Sequence, residues 1–205
     1  MRKHLLVVIC IILCCSAAAV GQDRLTTSYA VRCGRLIDGK SDVVKENVVI
    51  LVEGNKIKSL IMGETLPAGV ETIDLRDATV LPGLIDCHTH VLLQGDITST
   101  DYDEQLLKES IPYRTIRAAV SAQAALRNGF TTIRDVETEG AMYADVDVKK
   151  AINNGVIQGP RMFVSTRALD VTGAYPLLGY SWELHMPKGV QVCDGADECR
   201  KAVRE

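Results

Sequence analysis

No surplus of basic charge runs through this sequence: 23 lysines and arginines face 26 acidic residues, for a net charge of −3. The electrostatic footprint of a nucleic-acid backbone is therefore missing, and no nucleic-acid partner is expected. There are seven cysteines but no CxxC pair, which argues against a cysteine zinc site. Internal repeats and low-complexity tracts are absent. The longest apolar run, Leu5 to Cys15, falls short of the ~20 residues that a membrane crossing needs. Aromatic residues make up only 4% of the chain. What is present is ordinary for a globular protein, 47% apolar and 24% charged over 205 residues, and it can bury a real core.

The first residues form a separate object. Met1-Arg2-Lys3-His4 is short and positive, Leu5 to Cys15 is apolar, and Ser16 to Gly21 offers small residues for cleavage. This is the layout of a secretory signal peptide over residues 1–21. Export to the periplasm or the medium follows, with no stable membrane span after cleavage. The residues before Cys14 and Cys15 fit a lipid-attachment box poorly, so a lipoprotein anchor is disfavoured. Cys33, Cys87, Cys193 and Cys199 remain in the mature chain. Export permits disulfides. Cys193 and Cys199 are near enough in sequence to pair, although Cys199 is expected on a helix.

Short strands come next. Tyr29 to Ile37 ends at the turn Asp38-Gly39, Asn47 to Val52 is β-branched, Glu53-Gly54-Asn55 turns the chain, and Lys56 to Ile61 returns it as a hairpin. Glu71 to Leu75 is a further strand. Residues 25–78 thus read as a small β module. From Thr79 the rhythm changes to strand, helix, strand, helix, strand, loop, helix, with Pro82-Gly83 interrupting the first strand. Asp101 to Arg127 is helical, with Thr100 and Asp103 as a capping box and Pro112 dividing it into a short and a long piece. Ile116, Ala119, Val120, Gln123, Ala124 and Leu126 suggest its apolar face. Phe130 to Asp135 and Arg161 to Thr166 are strands, Ala141 to Asn153 is a helix, and Asp194 to Glu205 begins another. Alternation of this kind means parallel βαβ units. Three such strands cannot close a barrel, and their sheet keeps an unpaired edge.

The chemistry concentrates in Leu81-Pro-Gly-Leu-Ile-Asp-Cys-His-Thr-His90. On a strand, alternate side chains share a face, so His88 and His90 are expected on one side together with Asp86, and Cys87 on the other, packed in the core. Two imidazoles converging at the end of a strand can grip a divalent metal through neutral ring nitrogens. Asp86 is placed either to orient a histidine from behind or to cap the local backbone. Zinc is the default ion for imidazole ligands, and one or two ions are expected. Arg134 and Asp135 end the second strand, either facing this site or forming a buried ion pair or cap. The loop Asp170 to Met186 follows the third strand, where barrel loops line active sites. Tyr175 and His185 are its substrate-pocket candidates, with Tyr180 and Trp182 beside them, and packing of the loop is the competing role for all four.

The phrase Val80-Leu-Pro-Gly-Leu-Ile-Asp-Cys-His-Thr-His90 resembles the first-strand signature of the amidohydrolase superfamily. Gly34-Arg-Leu-Ile-Asp-Gly39 resembles that superfamily's N-terminal β domain. Ala125-Leu-Arg-Asn-Gly-Phe-Thr-Thr-Ile-Arg-Asp135 is similar to the Xaa-Pro dipeptidase and imidazolonepropionase-like branch, and so are Gly159-Pro-Arg161 and Val192-Cys-Asp-Gly195 with the helix after it. The resemblance implies an α/β fold. Residues 79–205 would be the first part, about three βα units, of a TIM-type (β/α)8 barrel, preceded by a small β-sandwich module. It implies a small-molecule or dipeptide-like substrate, Xaa-Pro peptides included, and hydrolysis of a C–N bond by metal-activated water. The superfamily's bridging lysine, further histidines and acid–base aspartate have no position before Glu205, so no catalytic residue is assigned and this chain alone is expected to be inactive. Where relatives carry Gly-Gly-His, this chain has Gly173-Ala174-Tyr175. Two other readings stand beside this one: a cyclic-amide hydrolase or deaminase of the same superfamily, and a truncated, non-catalytic exported protein that binds metal. The sequence leaves the oligomeric state open.

Overall fold

The computed structural model describes residues 28–63, 65–95, 99–174, 177 and 179–205. The expected signal peptide and Tyr175 lie outside the described residues, as does the side chain of Thr100. The chain divides into two compact units, Met1–Pro82 and Gly83–Glu205. Among the described residues, no helix is long and apolar enough to cross a membrane.

The first unit holds strands β1 (Ser28–Leu36), β2 (Lys45–Glu53), β3 (Lys56–Met62) and β4 (Glu71–Val80). They form one sheet in the order β3-β2-β1-β4, antiparallel except for the parallel β1–β4 pair. Glu53 and Lys56 face each other across Gly54-Asn55, and Gly54 has φ 60°, which suits a two-residue hairpin loop. Cys33, Leu36, Val48 and Ile50 make the core of the unit. Gly34 is required by close approach, because a Cβ there would lie 1.9 Å from the carbonyl oxygen of Arg76. The β1–β4 register slips beside it, between Cys33 and Arg35.

Two expectations change here. β4 runs on to Val80, so Thr79 and Val80 pair with Arg35 and Leu36 instead of opening the next unit. The expected β-sandwich is, among the described residues, a single sheet. Ile57, Met62 and Ile73 are exposed on it, as they would be without a facing layer.

The second unit holds β5 (Leu84–Thr89), α1 (Ser99–Lys108), α2 (Ile111–Arg127), β6 (Phe130–Asp135), α3 (Ala144–Asn153), β7 (Arg161–Val164), β8 (Leu169–Asp170), β9 (Gln191–Val192) and α4 (Ala196–Arg204). β5, β6 and β7 form a parallel sheet in that order. Pro112 sits in the first turn of α2, where its missing N–H costs nothing, and the Ser110 hydroxyl caps the Tyr113 N–H at 3.4 Å. Ile133 and Met162 on the sheet pack against Ala118 and Ala122 of α2 and against Ala144 and Val148 of α3.

The buried stripe of α2 is Arg114, Ala118 and Ala122, four residues apart. The face expected from Ile116 and Val120 points outward, and those two residues are 69% and 54% exposed. Alanines win the inner face because they let the helix axis approach the sheet closely.

β8 and β9 form a short parallel pair that closes the long loop between them. Thr172 donates to Asp194 there from both its N–H and its hydroxyl, and this holds the Asp194 carboxyl below its usual range. Glu198 in the first turn of α4 accepts from the Asp194 N–H at 2.7 Å, fixing the entry to that helix. Cys193 and Cys199 are free thiols in contact. That contact, ahead of burial, pushes the Cys193 thiol up to about 11.

Candidate metal centre

β5 ends where the chain turns away above the parallel sheet, and His88 and His90 stand at that end. Their Nε2 atoms are 3.2 Å apart, with ring centroids at 5.2 Å and ring planes at 57°. Two nitrogens each about 2.0–2.1 Å from one tetrahedral zinc ion stand roughly 3.3 Å apart. The pair is thus already at the separation of chelating imidazoles. His88 is exposed, while the His90 side chain is 24% exposed and backs into the protein.

The pairing of β5 with β6 is irregular just before the histidines. The β5–β6 register slips by one residue between Asp86, opposite Ile133, and Thr89, opposite Asp135. The Asp86 carboxylate accepts from the N–H of His88 at 3.0 Å, so its recorded contact is to backbone and not to an imidazole. The same slip, on an outer strand, explains Cys87. It is exposed where core packing was expected, and its carbonyl accepts from Arg134 Nε at 2.7 Å.

Asp135 lies beneath the site and is fully buried. Its Oδ1 accepts from the Val91 N–H at 2.8 Å and from the Thr89 hydroxyl at 3.3 Å, tying β6 to the turn that carries His90. Burial is the largest influence on this carboxyl and pushes it up to about 7, against the pull of the Val91 hydrogen bond. Asp135 is therefore a buried cap of the β5 turn, one of the roles open to it from sequence.

The loop after β6 supplies what sequence reasoning missed. Glu137 and Glu139 are buried, and one ligand atom from each lies within 4.8 Å of the other and of a His90 ring nitrogen. Glu139 Oε1 is 3.2 Å from His90 Nδ1, an ion-pair distance. The approach is off the axis of a hydrogen bond, so the buried Nδ1 completes none as it stands. The loop is held from below by Arg114. Its Nε donates to the Leu92 carbonyl at 3.0 Å and its Nη2 to the carbonyls of Thr138 and Glu139 at 3.3 and 2.7 Å. One buried guanidinium thus ties the segment after His90 to the glutamate loop. The signal available in sequence was Asp135-x-Glu137-x-Glu139, one acid ending a strand and two following it, at the same sheet end as the histidines.

The residues fit a divalent cation: two convergent, accessible Nε2 atoms in front, and an orphaned Nδ1 facing carboxylates behind. His185 lies elsewhere. With Tyr180, Trp182 and Lys188 it lines a cavity of about 370 Å³ in the loop closed by β8 and β9. No contact recorded among the described residues joins it to either histidine. Tyr180 donates to Asp103 at 2.8 Å, so part of this loop packs back on α1.

Known proteins resemble this chain over most of its length. Residues 79–205 match the model of the amidohydrolase family. Ochratoxinase of Aspergillus niger is 28% identical over 209 residues, which span 91% of this chain and 40% of that protein. A crystal structure of a Xaa-Pro dipeptidase with methionine bound in its active site superposes with a TM-score of 0.76 at 31% identity, over 86% of this chain and 43% of that one. A prolidase complexed with N-methylphosphonate-L-proline superposes with a TM-score of 0.72 at 28% identity, over 87% and 43%. The chain therefore spans less than half the length of the relatives it matches.

Proposed function

This chain belongs to the amidohydrolase family, and from that premise we propose that it is the metal-anchoring portion of an exported hydrolase of dipeptide-like amides, Xaa-Pro peptides among them. The residues that hold the ion are His88 and His90. When bound, the ion, zinc by default, supplies an activated water for attack on a C–N bond. The observation that carries the proposal is the 3.2 Å convergence of the two Nε2 atoms at the end of β5, inside the segment that matches the family.

The chain's own residues have definite tasks. His88 and His90 present lone pairs toward one point. Asp135 and Thr89 hold the turn between β5 and the following segment, so the His90 ring keeps its place. Arg114 holds the loop that backs His90. The first barrel strands arrange the ligand pair, and the remaining strands would supply the bridging lysine, further histidines and acid–base aspartate. Export rests on the charged, apolar and small-residue pattern of residues 1–21.

The test uses the full-length protein, with metal content measured alongside hydrolysis of Xaa-Pro dipeptides and of cyclic amides. Replacing both His88 and His90 by alanine should remove bound zinc and lower kcat/KM by three orders of magnitude or more. Unchanged zinc stoichiometry would sink the ligand assignment. Turnover of cyclic amides but not of dipeptides would sink the substrate class while leaving the metal assignment standing.

A further inference from the structure

We propose that Glu139 is a positioning residue that holds the His90 ring in the Nδ1–H form, so that its Nε2 lone pair points at the ion; this rests on His88 and His90 being metal ligands.

A neutral imidazole carries one proton on either ring nitrogen, and only the other nitrogen can bind a metal. In this site the two nitrogens of His90 face different surroundings. Nε2 faces Nε2 of His88 at 3.2 Å, and Nδ1 faces the Glu139 carboxylate at 3.2 Å, with Glu137 nearby. A carboxylate is an acceptor only, so it favours the proton on Nδ1. A small turn of the ring would straighten this approach into a hydrogen bond.

The backbone supports a role for this particular side chain. Glu139 has φ 50°, in the left-handed region that disfavours a glutamate, and its side chain is 6% exposed. A glycine here would be free of the strain and of the buried carboxylate. The segment is pinned nonetheless: Arg114 grips the Glu139 carbonyl, Thr138 N–H donates to Thr166, and Gly140 N–H donates to Gly189. The loop is thus fixed with its carboxylate aimed at the ring of a ligand.

The experiment compares full-length wild type with Glu139→Gln, Glu139→Gly and His88→Ala. Glu139→Gly keeps the carbonyl that Arg114 grips and removes the backbone strain, so it separates positioning from folding, and thermal unfolding in chelator checks this. Zinc affinity is read by competition with a chromophoric chelator, stoichiometry by elemental analysis, and the His90 tautomer by ¹⁵N-imidazole spectra of the metal-free protein. Both Glu139 variants should bind zinc about 10–100-fold more weakly at unchanged stoichiometry, with the His90 signal moving away from the Nδ1–H form. Unchanged affinity and tautomer in both variants would overturn the proposal. Loss of a whole zinc equivalent with the remainder bound as tightly as before would overturn it too, because Glu139 would then be a ligand. Wild type without zinc, or His88→Ala with its zinc intact, would overturn the metal reading itself and this inference with it.

Discussion

At the scale of single residues, the site stands on two buried ionisable groups, Arg114 and Asp135, neither of them a proposed ligand. Arg114 is 2% exposed and gives its donors to three carbonyls from two loops. Replacement by methionine fills much of the volume but leaves those carbonyls without their charged donor. We expect Arg114→Met to lose on the order of 3–5 kcal/mol of stability, measured by urea unfolding, with zinc affinity falling as well. Asp135 gives a pH signature. Its ordinary value is 3.8 and its folded value about 7. Below pH 3.8 both states hold the proton, so the buried carboxyl carries no penalty. Between 3.8 and 7 the unfolded chain ionises while the folded one keeps its proton, and stability falls as pH rises. About a unit above 7 the penalty is complete. Wild type in chelator should therefore lose up to about 1.4 kcal/mol per pH unit relative to Asp135→Asn between pH 5 and 6, with the slope dying away through pH 7 and gone by about pH 8. Parallel stability curves for the two proteins would refute the buried-acid reading.

At the scale of elements, α2 shows both what sequence could tell and where it stopped. Its bounds were legible, because Pro112 and Asn128-Gly129 punctuate it, but its buried face was not. Large apolar residues at Ile116 and Val120 outweigh alanines in any count of hydrophobicity, whereas close packing on a parallel sheet selects the alanines. Ala118→Leu should accordingly cost about 1–3 kcal/mol by overpacking, while Ile116→Ala in this chain stays within about 0.5 kcal/mol, both by thermal or urea unfolding. Equal effects would mean the stripe is assigned to the wrong face. The same division runs through the site. The closeness of His88 and His90 was legible because they lie two residues apart at the end of one short strand, with His90 just past its last residue. Asp86 took the backbone-capping one of its two open roles, and Cys87 was misplaced because a register slip is set by the neighbouring strand, not by its own sequence. Glu137, Glu139 and Arg114 stayed hidden because their meaning depends on which loop closes over β5, a contact between residues about 50 positions apart in the case of His90 and Glu139.

At the scale of the whole chain, the described strands leave apolar surface that a closed barrel would cover. β5 and β7 are the outer strands of the parallel sheet, and Ile85 and Phe163 on it are 65% and 54% exposed. Outer strands with exposed apolar side chains invite pairing with another chain. The polypeptide of residues 22–205, prepared alone, should therefore self-associate with rising concentration, seen by light scattering and sedimentation, and should bind a hydrophobic dye. Phe163→Lys distinguishes the cause. In the short polypeptide it should reduce association, because a charge on the open face opposes stacking. In a full-length protein whose further strands cover this face, the same change should lower stability by several kcal/mol, because a lysine would then be buried without a partner. A short polypeptide that stays monomeric at high concentration, or a full-length protein indifferent to Phe163→Lys, would mean that this face is not the one the rest of the barrel covers.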